Sequence, residues 1–403
     1  MKRKFLSLFL ALFLFLAAVV SAFAAQPEAL NRIYDPFATA LPASGSPGIS
    51  VDVPFAILMD RHTGTVIFEQ EADVQTQPAS ITKIMTILLT LEEIEAGRLS
   101  LTDMINTSAY AASMGGSQIF LEEGEQMTAE DMLKSVIISS ANDASVALAE
   151  HIAGTEEAFV ARMNERASAL GMTNTVFINS TGLPGEGIDN LTTARDVAIM
   201  SRALLAHDLV KEFSTIWMDT VRNGEFGLTN TNRLVYYFDG ATGLKTGFTQ
   251  EAMYCLAASA MRDGVEFIAV VLHGQTSDTR FEAAKTLLNY AFANYTLLEL
   301  QPDEVLPPML VSLGTVDSVQ PILQGDDQIL ISKTATATIR QEISLVEELS
   351  APVTQGQVLG SLSVFDGDNL IATVPIVAAD EVEKISILGA FGKFLSLLFH
   401  GGL

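Results

Sequence analysis

Apolar and polar positions alternate with different periods along the chain, and the period divides it into elements. Val53–Asp60 and Gly64–Glu69 read as two short strands joined by a turn at His62-Thr63-Gly64. From Ser80 through Glu95 a long helix is expected, nearly all apolar over Ile84–Leu91 and ending near Gly97. Thr128 opens another helix that runs to about Ile138, with Glu130 and Asp131 in its first turn, where the helix dipole favours negative charge. A loop and a further helix follow. The period of two returns at Leu244–Thr246, Tyr254–Met261 and Phe267–Leu272, and Arg280–Tyr295 reads as a helix that closes the domain. Together these predict a mixed α/β (α+β) domain over residues 49–298.

Residues 303–380 differ in texture. Short alternating runs such as Ser361-Leu362-Ser363-Val364, with turns at Gly325-Asp326-Asp327 and Asp366-Gly367-Asp368, predict a small all-β sandwich. Past Glu383 the chain becomes helical again over 383–403. Leu388, Phe391, Leu395 and Leu398 share one face, and Ser386, Gly389, Lys393, Ser396 and His400 the other. Such a segment is too short and too two-faced to span a bilayer. It fits an in-plane anchor, with Phe391, Phe394 and Phe399 entering the acyl boundary. Lys384 and Lys393 are its only firm positive charges, so apolar burial rather than lipid electrostatics must hold it. The alternative is a helix docked on the protein's own sandwich.

The N-terminus has the form of a secretory signal over 1–24: Lys2, Arg3 and Lys4, then Phe5–Val20 apolar apart from Ser7, then Ala22-Phe23-Ala24 as the cleavage site. Residues 25–48, rich in Pro, Ala, Ser and Gly, form a lead-in. A chain of 403 residues with 49% apolar content can bury more than one core. Its net charge is −25, and without the three basic residues of the signal 20 basic residues face 48 acidic ones. That charge repels phosphates and excludes nucleic acid as a partner. Cys255 is the only cysteine and sits in an apolar run, so it reads as a small buried hydrophobe rather than part of a disulfide framework. His62, His151, His207, His273 and His400 show no ligand spacing, so no metal is expected.

Three motifs carry chemistry. Ser80-Ile81-Thr82-Lys83 places a hydroxyl and an amine three residues apart on one helix face. The serine needs a base, and a lysine serves only when neutral. At an ordinary pKa of about 10.4, Lys83 would be neutral in well under one part in a thousand at pH 7. Its site must therefore lower that value, by burial against Ile84–Leu91 or by a second cation such as Lys245. Ser140-Ala141-Asn142 lies between two helices, where Ser140 can relay a proton and Asn142 can hold the lysine and a substrate carbonyl. Taken alone it reads as a helix-capping loop. Gly243-Leu244-Lys245-Thr246-Gly247 reads as an exposed edge strand, with Lys245 as a fixed charge for a carboxylate, Thr246 as a hydroxyl and Gly247 permitting close backbone approach. Alone, it is an ordinary strand with a solvent-facing lysine.

In this order and in an exported chain, the three motifs resemble those of the penicillin-interacting serine hydrolases. The fuller stretches Pro78–Thr86, Ser139–Ala144 and Gly243–Thr249 are similar to the low-molecular-mass D-alanyl-D-alanine carboxypeptidases, as are Asn179–Pro184 and Thr192–Asp196. The likeness covers about residues 50–297, and the β-sandwich and terminal helix also fit that family. The resemblance implies a β-lactamase/transpeptidase-like fold. It implies Ser80 as the acylated nucleophile, Lys83 as general base, and Ser140 and Asn142 in the proton relay. Lys245, Thr246 and Gly247 would bind the substrate carboxylate. The backbone N–H groups of Ser80 and of a residue just beyond Gly247 would form the oxyanion hole. The implied partners are a peptidoglycan stem peptide ending in D-Ala-D-Ala, β-lactams as covalent inhibitors, and a membrane surface reached through the terminal helix at the outer face of the cytoplasmic membrane. No cofactor is implied, and Arg280 receives no role.

Two rival readings stand beside it. Glu186 and Asn190, four apart, have the spacing of a deacylating pair in class A β-lactamases, but Gly187-Ile188-Asp189 departs from their pattern. A catalytically idle wall-binding scaffold could keep the fold alone; three intact motifs speak against it.

Overall fold

The computed structural model describes residues 48–392 apart from 186, 188, 301–305, 326–327 and 336–337. The expected signal, nearly all of the lead-in, Glu186 and the helix beyond residue 392 lie outside the described residues. So do two of the three residues of the turn expected at 325–327.

Five antiparallel strands form the central sheet: β1 (Phe55–Asp60), β2 (Val66–Gln70), β3 (Ala241–Thr249), β4 (Met253–Arg262) and β5 (Val265–Gly274), ordered β2-β1-β5-β4-β3. Side chains alternate across it. Ile57, Ala257, Ile268 and Val270 face one core, while Ala56, Leu58, Leu256, Ala258, Ala269 and Val271 face another. Central β5 is covered on both faces, which is why Phe267–Leu272 is an unbroken apolar run buried along its whole length. The larger core packs beneath α1 (Lys83–Glu95), α2 (Ala129–Ile138), α3 (Asn142–Ala153), α4 (Glu156–Ala169) and α5 (Ala194–Leu204). Helix α6 (Ser277–Asn294) covers the opposite face through Phe281, Ala284, Leu287 and Leu288.

Two helices differ at their ends from the sequence expectation. Ser80 does not begin the α-helix; Ala79–Thr82 form a 3-10 turn, and α1 starts at Lys83. Helix α6 starts three residues before Arg280, because the Thr276 hydroxyl accepts from Thr279 N at 3.1 Å and caps it. It stops at Asn294, and Tyr295 begins a strand.

That strand, β6 (Tyr295–Glu299), pairs antiparallel with β7 (Gln328–Ser332). Tyr295, Leu297 and Leu330 pack on the core under α6, whereas Leu298 and Ile329 pack on the C-terminal core, so the ribbon serves both. The rest of the C-terminal region is all β. One sheet has three strands, Ser318–Val319, Met309–Ser312 and Leu349–Ser350; the other has four, Pro321–Leu323, Asn369–Ala378, Val358–Asp366 and Ile339–Leu345. Asp366 pairs with Asn369 across a two-residue turn in which Gly367 has φ +59°, as the expected Asp-Gly-Asp turn requires. Beyond it, residues 387–392 are helical with Ile387, Leu388 and Phe391 exposed. No helix among the described residues is long and apolar enough to cross a membrane.

Candidate active site

The 3-10 turn and the first turn of α1 bring Ser80 and Lys83 into contact: Lys83 Nζ lies 3.1 Å from Ser80 Oγ. The amine also donates to Asn142 Oδ1 and to the Thr181 carbonyl, each at 2.6 Å. Both of those oxygens only accept, and the Asn142 amide is oriented by its Nδ2 donating to Gly115 O at 2.6 Å. A neutral amine has two N–H bonds and one lone pair. In the neutral form of Lys83, with both N–H bonds given to these acceptors, the lone pair is the part left for Ser80.

The second motif lies where expected, between α2 and α3. Ser140 is 4% exposed and held at φ +67°; its hydroxyl makes no hydrogen bond within the described residues. Ala79, beside Ser80, also has positive φ at +49°. Such backbone costs of order 1–3 kcal/mol per residue and persists only where packing imposes it, commonly at functional sites. Asn142 opens α3, and its neighbour Asp143 is fully buried, accepting from Ile119 N, Leu121 N and Ala144 N at 2.9–3.2 Å. Asp143 thereby holds the loop whose Gly115 carbonyl orients Asn142.

The third motif occupies the edge strand β3, but its lysine does not face solvent. Lys245 is 1% and Thr246 6% exposed, which corrects the reading of an exposed edge-strand charge. The reason is the turn that carries Ser80, which packs on this strand. A Cβ on Gly247 would stand 2.7 Å from Pro78 O and 3.2 Å from Ala79 Cβ and Ile81 Cγ1. Lys245 Nζ donates to the Thr246 carbonyl at 3.0 Å, and Thr246 Oγ1 donates to Thr231 Oγ1 at 2.8 Å.

Burial dominates the electrostatics of both lysines. Desolvation, then repulsion by Lys245, pushes the Lys83 pKa well below its ordinary value, against a smaller opposing pull from Asp143. Lys245 falls to about 7 through burial and then repulsion from Arg280, so at neutral pH it is not the permanent cation that its residue type suggests. Arg280 is itself 8% exposed; its Nη1 donates to Gly247 O at 3.0 Å and Cys255 O at 3.3 Å, and burial lowers it to about 10. Cys255 is fully buried and pushed up to about 11 by desolvation, an inert thiol packed as a hydrophobe.

Sequence reading missed the Thr181 carbonyl, because a backbone oxygen leaves no side-chain signature. A trace of it exists in Gly182. That residue has φ +80°, and a Cβ there would fall 1.9 Å from Ala79 O, so only glycine lets this loop approach the serine turn. The loop is braced from the other side by Asn190, whose Oδ1 accepts from Ile178 N at 2.7 Å and whose Nδ2 donates to Thr82 Oγ1 at 2.8 Å. The side chain that suggested a deacylating pair with Glu186 is thus spent on loop structure. A small recess lined by Pro78, Ala79, Gly182, Leu183 and Thr249 opens at the turn that carries Ser80. Among the described residues no group of three His, Cys, Asp or Glu side chains is placed to hold a metal.

Residues 43–276 match the family model described as D-alanyl-D-alanine carboxypeptidase, and residues 300–384 match the penicillin-binding protein 5 C-terminal domain. The chain is 39% identical over 338 residues to D-alanyl-D-alanine carboxypeptidase DacF of Bacillus subtilis, covering 83% of this chain and 86% of the relative. It is 33% identical to DacC of Escherichia coli, covering 87% and 89%. Among solved structures, penicillin binding protein 5 from Haemophilus influenzae superposes with a TM-score of 0.76 at 29% identity, covering 84% of this chain and all of that one. Penicillin-binding protein D2 from Listeria monocytogenes, solved in an ampicillin-bound form, superposes with a TM-score of 0.54 at 30% identity, over 61% of this chain and all of that one. With its hydroxyl–amine pair, its α/β domain and its C-terminal β domain, the chain belongs to the D-alanyl-D-alanine carboxypeptidase family of serine peptidases.

Proposed function

We propose that this enzyme releases the terminal D-alanine from peptidoglycan stem peptides through an acyl-enzyme on Ser80. The observation that carries the proposal is the Lys83 amine, desolvated, with its N–H bonds held by Asn142 and Thr181 and its lone pair facing the hydroxyl. As Ser80 Oγ bonds to the carbonyl carbon of the penultimate D-alanine, its proton passes to Lys83 Nζ. The tetrahedral oxygen takes its negative charge beside the Ser80 N–H, one of the first N–H groups of a helical turn and so without an intrahelical partner, and an N–H just past Gly247. When the C–N bond breaks, the proton reaches the leaving amine from Lys83 with Ser140 as relay, and water then hydrolyses the ester with Lys83 again as base.

Lys245 and Thr246 bind the terminal carboxylate, whose arrival offsets the desolvation of Lys245 and restores its proton. A β-lactam carbonyl takes the same path and leaves an adduct on Ser80. Relatives named as D-alanyl-D-alanine carboxypeptidases and an ampicillin-bound neighbour support this reading. The signal-like N-terminus and the amphipathic C-terminal sequence support a reading in which the enzyme works outside the cell, on the membrane face, where this substrate is found. Mass spectrometry of penicillin-treated mature protein, together with an assay of D-alanine release from a D-Ala-D-Ala pentapeptide, tests the proposal. The adduct is expected on the Ser80 peptide; an adduct elsewhere, or no release of D-alanine, overturns it. Fast repeated turnover of penicillin would instead favour the β-lactamase reading.

A further inference from the structure

Glu156, the first residue of α4, is 7% exposed, and no cation pairs with it among the described residues. A buried carboxylate without a counter-charge is costly and persists only where several donors satisfy it. Here the donors are neutral: Ser180 N at 2.8 Å and Ser180 Oγ at 2.6 Å on Oε1, and Tyr110 Oη at 2.8 Å on Oε2. The Ser180 carbonyl is itself pinned, accepting from Thr86 Oγ1 at 2.8 Å and Ser145 Oγ at 3.0 Å. The next carbonyl along the chain, that of Thr181, is the one that receives Lys83 Nζ.

We propose that Glu156 is a positioning residue for the general base: by clamping Ser180 it sets the Thr181 carbonyl where it takes one N–H of Lys83 and leaves the lone pair aimed at Ser80. The assignment rests on the acyl-enzyme reading above. A hydroxyl in place of the carboxylate could not accept from both Ser180 donors and Tyr110 at once, whereas a carboxylate has lone pairs for all three. Misplacing a reacting group by about 1 Å costs on the order of 10²-fold in rate, so a clamp two residues removed from the amine is enough to matter.

The test is the rate constant for labelling by a fluorescent penicillin across pH, normalised to the fraction that can be labelled, so that misfolded protein does not enter it. For Glu156→Ala the plateau is expected to fall roughly tenfold to a hundredfold. The acid limb is also expected to move to lower pH, because a carbonyl accepts more strongly from an ammonium than from an amine and its loss destabilises protonated Lys83. Lys245 and Asp143, which bear on Lys83, and Glu150 and Glu157, which lie near Tyr110, are unchanged in this variant. Glu156→Gln, which keeps an accepting oxygen for Ser180, is expected to recover most of the rate. Ser180→Ala, which keeps the Ser180 N–H bond, should show the same displacement at smaller size and decides the matter if Glu156→Ala does not fold. A parental plateau and acid limb in both the alanine variants overturns the proposal. A parent that neither labels nor releases D-alanine overturns the acyl-enzyme reading instead.

Discussion

Lys83 and Lys245 are the same residue type, both buried, and the structure gives them different partners. Lys83 has two strict acceptors and a hydroxyl, an arrangement suited to a neutral base. Ser80→Ala is expected to abolish penicillin labelling, and Lys83→Arg to lower it about 10²–10⁴-fold, since a guanidinium keeps its proton. Labelling of the arginine variant at the parental rate would remove Lys83 from the role of base. Lys245 has one backbone acceptor and a neighbouring guanidinium. Its folded pKa of about 7 lies below that of the unfolded chain, so between that value and the ordinary amine value the unfolded chain binds more protons. The parent therefore gains stability as pH rises through that window, and below it the desolvation cost is fully present. Lys245→Met should accordingly melt higher than the parent, most clearly below pH 7, with the gap closing toward alkaline pH while substrate affinity is lost. A gap independent of pH in calorimetry would contradict the assignment.

At the scale of elements, the site is a meeting of one turn, one strand edge and one loop. Gly247 lets β3 approach the turn at Pro78–Ala79, and Gly182 lets the Thr181 loop approach the same turn from the other side. Gly247→Ala places a methyl against Pro78 O and must push the turn and the strand apart. We expect penicillin labelling to drop at least about tenfold, with far-ultraviolet circular dichroism unchanged and the melting temperature lower by a few degrees. Labelling at the parental rate would show that the strand edge and the serine turn are not coupled. The apolar runs of β1, β4 and β5 and the cap and amphipathic pattern of α2 made these elements legible from the chain alone, because their own residues define what is buried: both faces of the strands and one face of the helix. The first turn at Ser80 was less legible: a 3-10 turn and an α-helix begin with the same side chains, and packing against β3 chose between them.

Over the whole molecule, the β6–β7 ribbon shares its two faces between the two cores, so the strand that follows α6 belongs to both regions. At the far end, exposed Ile387, Leu388 and Phe391 begin an apolar face. We propose that this face binds lipid; with so negative a chain, that binding would come from apolar burial, which salt does not weaken. The mature chain is expected to sediment with phosphatidylcholine vesicles equally at low and high salt, and a chain ending at Ile385 to remain in the supernatant while still labelling with penicillin. Sedimentation of the shortened chain would assign the membrane contact elsewhere, or leave the helix as a docked element.

The residues themselves determined the class of chemistry, since a hydroxyl and an amine three apart, a Ser-x-Asn loop and a Lys-Thr-Gly strand are written in the chain, and so are the periods that build a mixed domain and a β domain. Tertiary structure alone decided how far burial weakens the hold of each amine on its proton. An amine's protonation depends on the dielectric and the oxygens around it, and those come from distant segments: Asn142 and Thr181, 59 and 98 residues along the chain, around Lys83, and the serine turn, farther still, over Lys245. The Thr181 carbonyl that meets Lys83 and the Glu156 carboxylate that meets Ser180 leave no motif, because backbone oxygens and neutral hydrogen bonds acquire meaning only when the fold brings them within reach.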